Sequence, residues 1–182
     1  MADINVTMVS DRVAEAEVKT RASVEAPTWD LIELLFFAYR DFVGDPDGVL
    51  ADLGFGRAHH RVLHFVNRNP GMKVAELLDI LKITKQSLGR VLKQLIDEGY
   101  ITQQEGAKDR RQRLLYATAK GEQLALKLAG LQTARIARAL ADLGPRAHDE
   151  ARAFLLAMIS AEERDRVLRL IDRAERARRT RS

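Results

Sequence analysis

The fold of this chain is decided by residues 74–121, which read VAELLDILKITKQSLGRVLKQLIDEGYITQQEGAKDRRQRLLYATAKG. Apolar residues recur at helical spacing over 74–81 and again over 85–98, so two helices are predicted there. Thr84 is suited to cap the second helix, because its hydroxyl can accept a hydrogen bond from a main-chain N–H of the first turn. The link between the helices, residues 82–84, is as short as a helix-turn-helix requires.

Two strands are predicted directly after the second helix. They cover residues 100–104 and 112–117, and the polar residues 105–109 between them are typical of a β-hairpin turn. A hairpin in this position makes the motif a winged helix-turn-helix. The turn and the start of the second strand carry four cations: Lys108, Arg110, Arg111 and Arg113.

The second helix of the motif has one apolar and one polar face. Its apolar stripe, which we expect to face the core, consists of Leu88, Val91, Leu92, Leu95 and Ile96. The other face begins at the end of the helix that usually enters a major groove. Glutamine can pair with adenine and arginine with guanine, while serine both donates and accepts. The residues predicted to contact bases are therefore Lys85, Gln86, Ser87 and Arg90.

The remaining cations are predicted to contact the DNA backbone or the minor groove. Lys93, one turn further along the helix, and Lys108 in the hairpin are placed for phosphates. Strand alternation puts Arg111 and Arg113 on one face, so one of them is expected in a narrow minor groove. Arg110 lies on the opposite face. Asp109 is expected to pair with an arginine and fix its direction; these hairpin positions, Lys108, Asp109, Arg110, Arg111 and Arg113, complete the predicted interface.

The rest of the chain predicts further helices, so the fold class is mainly α with a small β-hairpin wing. The predicted helices cover 28–42, which the breaker Gly44-Asp45-Pro46-Asp47-Gly48 ends, then 56–67, 119–143 and 147–177. The last two are longer than a winged-helix core can cover. They either cover each other within one chain or interlock with a second chain, and we favour the second arrangement.

Three regions are predicted along the chain. Residues 1–27 form a polar arm, 28–175 a single domain, and 176–182 a basic tail. Within the domain, the winged helix-turn-helix covers about 55–118, and the helices that would form a dimer cover 28–43 and 119–175.

Composition limits the function classes. The chain has 182 residues, 30 of them basic and 26 acidic, and no cysteine, which excludes disulfides, thiolate catalysis and iron–sulfur clusters. It has no apolar run of the roughly 20 residues that a membrane span needs and no secretory signal, so we expect a cytoplasmic protein with no membrane partner. Between residues 84 and 121 there are eight basic and four acidic residues. This local excess indicates a polyanion as partner.

Other clusters predict less. His60 and His64 stand at a spacing that can hold a metal, but we favour packed or solvated histidines and predict no metal and no cofactor. Five aromatic residues between 29 and 42 either fill an interface, which we favour, or line a ligand pocket. No Gly-rich phosphate loop, G-x-S-x-G or H-E-x-x-H motif occurs, so no enzyme activity is predicted.

The hairpin and its surroundings resemble the MarR-type winged-helix regulators. Residues 109–121, DRRQRLLYATAKG, are similar to that family's wing, with Asp109, Arg111 and Arg113 in its D-x-R-x-R pattern. Residues 61–101 resemble its second, third and fourth helices in order and spacing. The resemblance covers roughly 28–175, and the segments GRAHHRVLHF and ITKQSLGRVLKQL are further similar to the branch called PetP.

The resemblance implies a transcriptional regulator, in many members a repressor, that binds double-stranded DNA as a homodimer on a pseudo-palindromic operator. It implies the fourth helix in the major groove, the wing in the minor groove, and dimerisation through the first helix and the last two. Release by a small-molecule effector, for which the sequence assigns no residues, is implied as well. The alternative that remains open is a non-enzymatic protein–protein docking module with only non-specific DNA affinity.

Overall fold

The computed structural model describes residues 26–106, 109 and 111–179. The polar arm predicted over 1–27 therefore lies outside the described residues except for its last two positions. Within the described part, seven helices and one small antiparallel sheet follow the predicted order, which confirms the mainly α class. The helices are α1 (Trp29–Ala51), α2 (Arg57–Arg68), α3 (Val74–Leu81), α4 (Lys85–Asp97), α5 (Ala119–Ala141), α6 (Ala147–Met158) and α7 (Ala161–Arg179), and the strands are β1 (Met72–Lys73), β2 (Ile101–Glu105) and β3 (Arg113–Ala117).

The predicted helix-turn-helix is present, and local hydrogen bonds fix its turn. Lys82 ends α3 in the left-handed region, at φ 51°, and its N–H donates to the carbonyl of Leu78. Thr84 then caps α4, because its hydroxyl oxygen accepts the N–H of Ser87 at 3.1 Å. At the other end Gly99, at φ 75°, donates its N–H to Ile96 and turns the chain into the hairpin.

The hairpin pairs β2 with β3 from Ile101 opposite Ala117 to Glu105 opposite Arg113. A third strand, β1, pairs with the other edge of β3 and places Met72 opposite Leu115. Only the two hairpin strands were predicted. A two-residue strand is too short to show the alternation that reveals longer strands, so the sequence carries no comparable signal for β1.

The core lies between α2, α3, α4, the start of α5 and the sheet. It consists of the predicted apolar stripe of α4 and the apolar faces of its neighbours. The most deeply buried apolar side chains are Leu50, Val62, Leu63, Val66, Met72, Leu77, Leu88, Leu95, Ile101, Leu115 and Leu128.

The segment after β3 joins α5 to the end of α4. Thr118 donates its hydroxyl to the carbonyl of Gly99 at 2.7 Å and accepts the N–H of Gly121 at 3.1 Å. Lys120 donates to the carbonyl of Glu98 at 2.9 Å, and its ammonium lies 4.0 Å from the ring centroid of Tyr100. The motif that resembles the end of the family's wing therefore fastens α5 to the end of α4 in this chain.

The predicted end of the first helix is wrong. The breaker at 44–48 was expected to stop it after Phe42, but α1 continues to Ala51 with Pro46 inside it. Pro46 is fully buried, so the residue expected to break the helix instead forms part of its packed face.

Contacts from α5 make this continuation possible. A proline at position 46 has no N–H to donate to the carbonyl of Phe42, one turn earlier. The side-chain amide of Gln132 approaches that carbonyl at 3.5 Å. Next to it, the guanidinium of Arg135 contacts both carboxylate oxygens of Asp45, at 3.0 and 3.2 Å. These partners come from 90 residues away, so local sequence could not reveal them.

The last predicted helix is also wrong, because it is two helices. Ile159 is extended, at ψ 136°, and separates α6 from α7. The freed carbonyls of Ala157 and Ile159 accept from the guanidinium of Arg164, at 2.6 and 2.8 Å. The signal was in the sequence: Ser160 and Glu163 form the S-x-x-E pattern that begins a helix.

Helix α7 is tied to the helix-turn-helix by ion pairs. Arg173 contacts Glu76 on α3 at 3.0 Å and donates to the side chain of Asn69 at 3.1 Å. Arg68, at the end of α2, contacts Glu175 at 2.6 Å. Exposed ion pairs are individually weak in water, so it is the set of these contacts that ties α7 to α2 and α3.

Helix α7 ends at Arg179, so residues 176–179 of the predicted basic tail continue it. Residues 180–182 lie outside the described part. None of the described helices is long and apolar enough to cross a membrane.

Candidate nucleic-acid interface

Helix α4 turns its predicted polar face outward. Lys85, Gln86, Arg90 and Lys93 are exposed and Ser87 is half-buried, while the residues of the predicted apolar stripe are buried, except the half-buried Ile96. The capping bond from Ser87 to Thr84 fixes the first turn, so Lys85 and Gln86 project from an ordered helix end.

The exposed side chains of α4 differ in their partners. Lys93 forms an ion pair with Asp97, one turn further along the helix, at 2.5 Å. The hydroxyl of Ser87 accepts from the hydroxyl of Thr84 at 2.9 Å. Within the part of the chain that the structure describes, Arg90 has no hydrogen-bond or ion-pair partner, so its guanidinium donors face solvent.

The hairpin holds its arginines in different ways. Arg113 forms an ion pair with Glu105 at 2.9 Å, directly across the two strands. Asp109 was expected to orient an arginine; its carboxylate accepts the main-chain N–H of Arg111 at 2.9 Å, so it fixes the backbone of that residue. This is the geometry in which an aspartate stabilises a turn. The predicted contacts Lys108 and Arg110 lie outside the described residues.

A groove of about 660 Å³ separates α4 from the hairpin. Its charged lining residues are mostly basic, and they include predicted residues of both elements. Residues of the first turn of α3 line it as well. The charged side chains that line it are Lys73, Lys85, Lys93, Asp97, Arg111 and Arg113. Because Asp97 is already paired with Lys93, the groove as a whole favours an anion.

Lys73 and Gln103 also line this groove, and they were not predicted as part of the interface. Lys73 lies in β1, which pairs with β3 and so brings the start of α3 next to the hairpin. Gln103 lies two residues before Glu105 on β2, on the same strand face. Strand alternation could have identified Gln103, whereas Lys73 needed the pairing of β1.

None of the three histidines of α2 lines the groove, and their rings lie against other residues of the protein. His59 bonds to the side chain of Gln94 at 2.9 Å and stacks on Phe55 at 4.8 Å between ring centroids. Burial lowers the pKa of His60. Burial, together with electrostatic repulsion from His60 and Arg68, lowers the pKa of His64 to about 4. Among the described residues, no group of three potential ligands is arranged to hold a metal.

The stability of the protein should fall in mild acid because of His64. A histidine in the unfolded chain has a pKa near 6.5, so between about pH 6.5 and 4 the unfolded state binds more protons than the folded state. The free energy of unfolding should therefore decrease by up to about 3 kcal/mol as the pH falls through this window. Urea titrations at several pH values should show a shallower decrease for His64→Gln than for the wild type.

The control for this prediction is Val66→Ala. Val66 is fully buried in α2 and has no titratable group, so its replacement should lower the free energy of unfolding by the same amount at every pH. An equal slope for His64→Gln and the wild type would show that His64 is accessible to protons in the folded protein.

A second cavity lies behind α2, among the carboxyl-terminal half of α1, α2 and α5. It has a volume of about 240 Å³ and combines aromatic and basic side chains. Its lining residues are Tyr39, Phe42, Val43, Arg57, His60, Arg61, His64, Phe65 and Gln132. Arg61 also reaches the helix-turn-helix, because its guanidinium donates to the carbonyl of Leu81 at 3.3 Å.

The fold is shared with solved regulators. A MarR transcriptional regulator from Methanosarcina mazei superposes with a TM-score of 0.61 over 76% of this chain and 93% of its own, at 22% identity. A MarR family protein of Mycobacterium tuberculosis, solved with salicylic acid, gives a TM-score of 0.53 over 75% of this chain and 99% of its own, at 25% identity.

Sequence comparison identifies the family. Residues 53–112 match the model of the MarR family, and this stretch contains the helix-turn-helix and the turn of the hairpin. The chain is 46% identical over 128 residues to the HTH-type transcriptional regulator PetP of Rhodobacter capsulatus. The aligned residues make up 70% of this chain and 77% of PetP. The chain therefore belongs to the MarR family of transcriptional regulators.

Proposed function

We propose that this protein regulates transcription by binding a pseudo-palindromic DNA operator as a homodimer. The observation that carries the proposal is the basic groove between α4 and the hairpin, with the exposed polar face of α4 beside it. A helix with an exposed polar face enters a major groove, and a basic hairpin at its side reaches the neighbouring minor groove.

The partners of each side chain support a division of roles. Lys85, Gln86, Ser87 and Arg90 are proposed to contact bases, since they occupy the first turns of α4. Lys93 and the hairpin residue Lys108 are proposed to contact phosphates, and Arg110 completes the hairpin's part of the interface.

The minor-groove contact is assigned to Arg111. Arg113 is already balanced by Glu105 at 2.9 Å, whereas the main chain of Arg111 is fixed by Asp109 at the turn. A narrow minor groove attracts an arginine by its negative potential, which acts most strongly on a charge that is not neutralised.

A second copy of the chain is the proposed cover for two apolar surfaces. In the first half of α1, Trp29, Phe36 and Phe37 are 64%, 69% and 55% exposed. On α6, Phe154, Leu155 and Met158 are all more than half exposed. Large apolar side chains in such number mark an interaction surface, and the most frequent partner of such a surface in a regulator that binds an inverted repeat is an identical chain.

The operator proposal is tested by selecting bound sequences from a random duplex library at near-physiological salt. An enriched inverted repeat, with half-sites about one helical turn apart, is the expected result and would report base readout and the dimer together. Retention of bulk DNA without enrichment, lost as salt rises, would instead support the docking-module alternative.

We further propose that an aromatic carboxylate releases the protein from DNA by binding the cavity behind α2. The cavity offers the rings of Tyr39, Phe42 and Phe65 together with the guanidinium of Arg61. The Mycobacterium tuberculosis relative was solved with salicylic acid. A carboxylate drawn to Arg61 would compete with the carbonyl of Leu81, and so would act on the end of α3.

Salicylate should therefore weaken operator binding by the wild type and not by Arg61→Met. Coupling between two sites commonly amounts to about 1–3 kcal/mol, or a roughly 5–150-fold change in Kd. Fluorescence anisotropy with labelled operator, at increasing salicylate, measures it. Arg138→Met, which removes an exposed arginine of α5 that does not line the cavity, is the control and should respond like the wild type. An equal response of Arg61→Met would place the effector elsewhere.

A further inference from the structure

Gly89 stands in the interior of α4, where a glycine destabilises a helix relative to alanine. Nothing in the folded protein requires a glycine at this position. A Cβ added at Gly89 would meet no atom within 4 Å, and its φ is not in the left-handed region that favours glycine. Gly121 shows the contrast, since a Cβ there would lie 2.0 Å from the carbonyl oxygen of Tyr100.

Gly89 opens one wall of the basic groove. It lies one turn after Lys85 and one turn before Lys93, and all three line the groove on the α4 side. Arg111 and Arg113 line the opposite side. Between flanking cations, the helix thus presents bare backbone where every other residue type would present at least a Cβ.

The position of the groove indicates what fills it. The major and minor grooves of a duplex are separated by one sugar–phosphate backbone. If α4 occupies the major groove and the hairpin the adjacent minor groove, as in the proposed function, that backbone must pass between them. The space between α4 and the hairpin is this basic groove, so a chain of phosphates matches it in both place and charge.

We propose that Gly89 positions the DNA, by letting the sugar–phosphate backbone of one strand approach the main chain of α4 more closely than a side chain would allow. This inference rests on the proposed function. It assigns to Gly89 a steric role that is independent of base identity. The close approach sets how deeply α4 enters the major groove, and thus whether the side chains of its first turns reach the bases.

The test is Gly89→Ala, measured for both stability and DNA binding. The substitution should raise Tm by about 2 °C, because alanine favours the helix and nothing in the protein opposes the new Cβ. The Kd for the selected operator should nevertheless rise at least tenfold. Gly48→Ala is the matched control, since Gly48 lies within α1, outside the segments predicted to form the dimer, with no atom within 4 Å of an added Cβ. It should raise Tm similarly and change Kd less than twofold.

The outcomes separate the inference from the proposed function. An operator selected by the wild type and bound equally well by Gly89→Ala would overturn the inference alone. A lower Tm for Gly89→Ala would overturn it too, since it would reveal a role within the folded protein. If the wild type selects no operator, the proposed function itself fails.

Discussion

Gly121→Ala is expected to lower the free energy of unfolding by about 2–3 kcal/mol, which corresponds to a decrease in Tm of roughly 4–12 °C. A Cβ at this position would lie 2.0 Å from the carbonyl oxygen of Tyr100 and 3.4 Å from a methyl group of Leu63. The first contact is with backbone, which cannot move as a flexible side chain can. The start of α5 must therefore shift away from α4 and the hairpin.

The shift would break specific bonds. One is made by the Thr118 hydroxyl at the start of α5. This hydroxyl accepts the N–H of Gly121 and donates to the carbonyl of Gly99. Lys120 lies in the same turn of α5, and its ammonium contacts the carbonyl of Glu98 at the end of α4. Valine at position 121 should be worse than alanine, because it places the same overlapping Cβ and favours a helix less than alanine does.

Thermal unfolding followed by circular dichroism measures the effect, with Gly130→Ala as the control. Gly130→Ala gains the helix propensity of alanine, about 0.5–1 kcal/mol, without any new contact, so a lower Tm for Gly121→Ala than for this control reports the contact with Tyr100. Equal Tm values for the two variants would mean that α5 does not pack against the end of α4 as described.

The helix-turn-helix could be predicted from sequence because its signals are local. The apolar spacing of α3 and α4, the capping hydroxyl of Thr84 and the glycine at position 99 all act within a few residues. The observed bounds of these two helices differ from the predicted ones by at most one residue.

The errors arose where distant residues decide local structure. The extension of α1 through Pro46 depends on Gln132 and Arg135 of α5, and no window around Pro46 contains them. The groove shows the same limit: Lys73 joins it only because β1 pairs with β3. The break between α6 and α7 is different, since the capping pattern that begins at Ser160 was visible in the sequence.

Arg90→Ala is expected to weaken operator binding and to remove the preference for one base pair in each half-site. Arg90 is exposed on the second turn of α4 and, among the described residues, has no side-chain partner. Its bidentate donors are therefore available for a guanine, a contact that contributes about 1–3 kcal/mol of discrimination. Because both protomers carry the change, the total loss should be about 2–6 kcal/mol.

Lys93→Ala is the matched comparison, because Lys93 lies three residues further along the same face and is paired with Asp97. Its loss should weaken binding to every sequence alike and should reduce the slope of log K against log salt by about one for each protomer. The removal also leaves the carboxylate of Asp97 unpaired next to the groove, which adds repulsion between the protein and the phosphates.

Competition binding against operators with every single base-pair substitution distinguishes the two roles. For Arg90→Ala, substitutions at one symmetric position should lose their effect while all others keep it. For Lys93→Ala, every base-pair substitution in the operator should keep the effect it has on the wild type. The affinity for all operators should be lower by one common factor. If both variants instead weaken all operators by the same factor, Arg90 contacts a phosphate, and base readout by α4 would rest on Lys85, Gln86 and Ser87 alone.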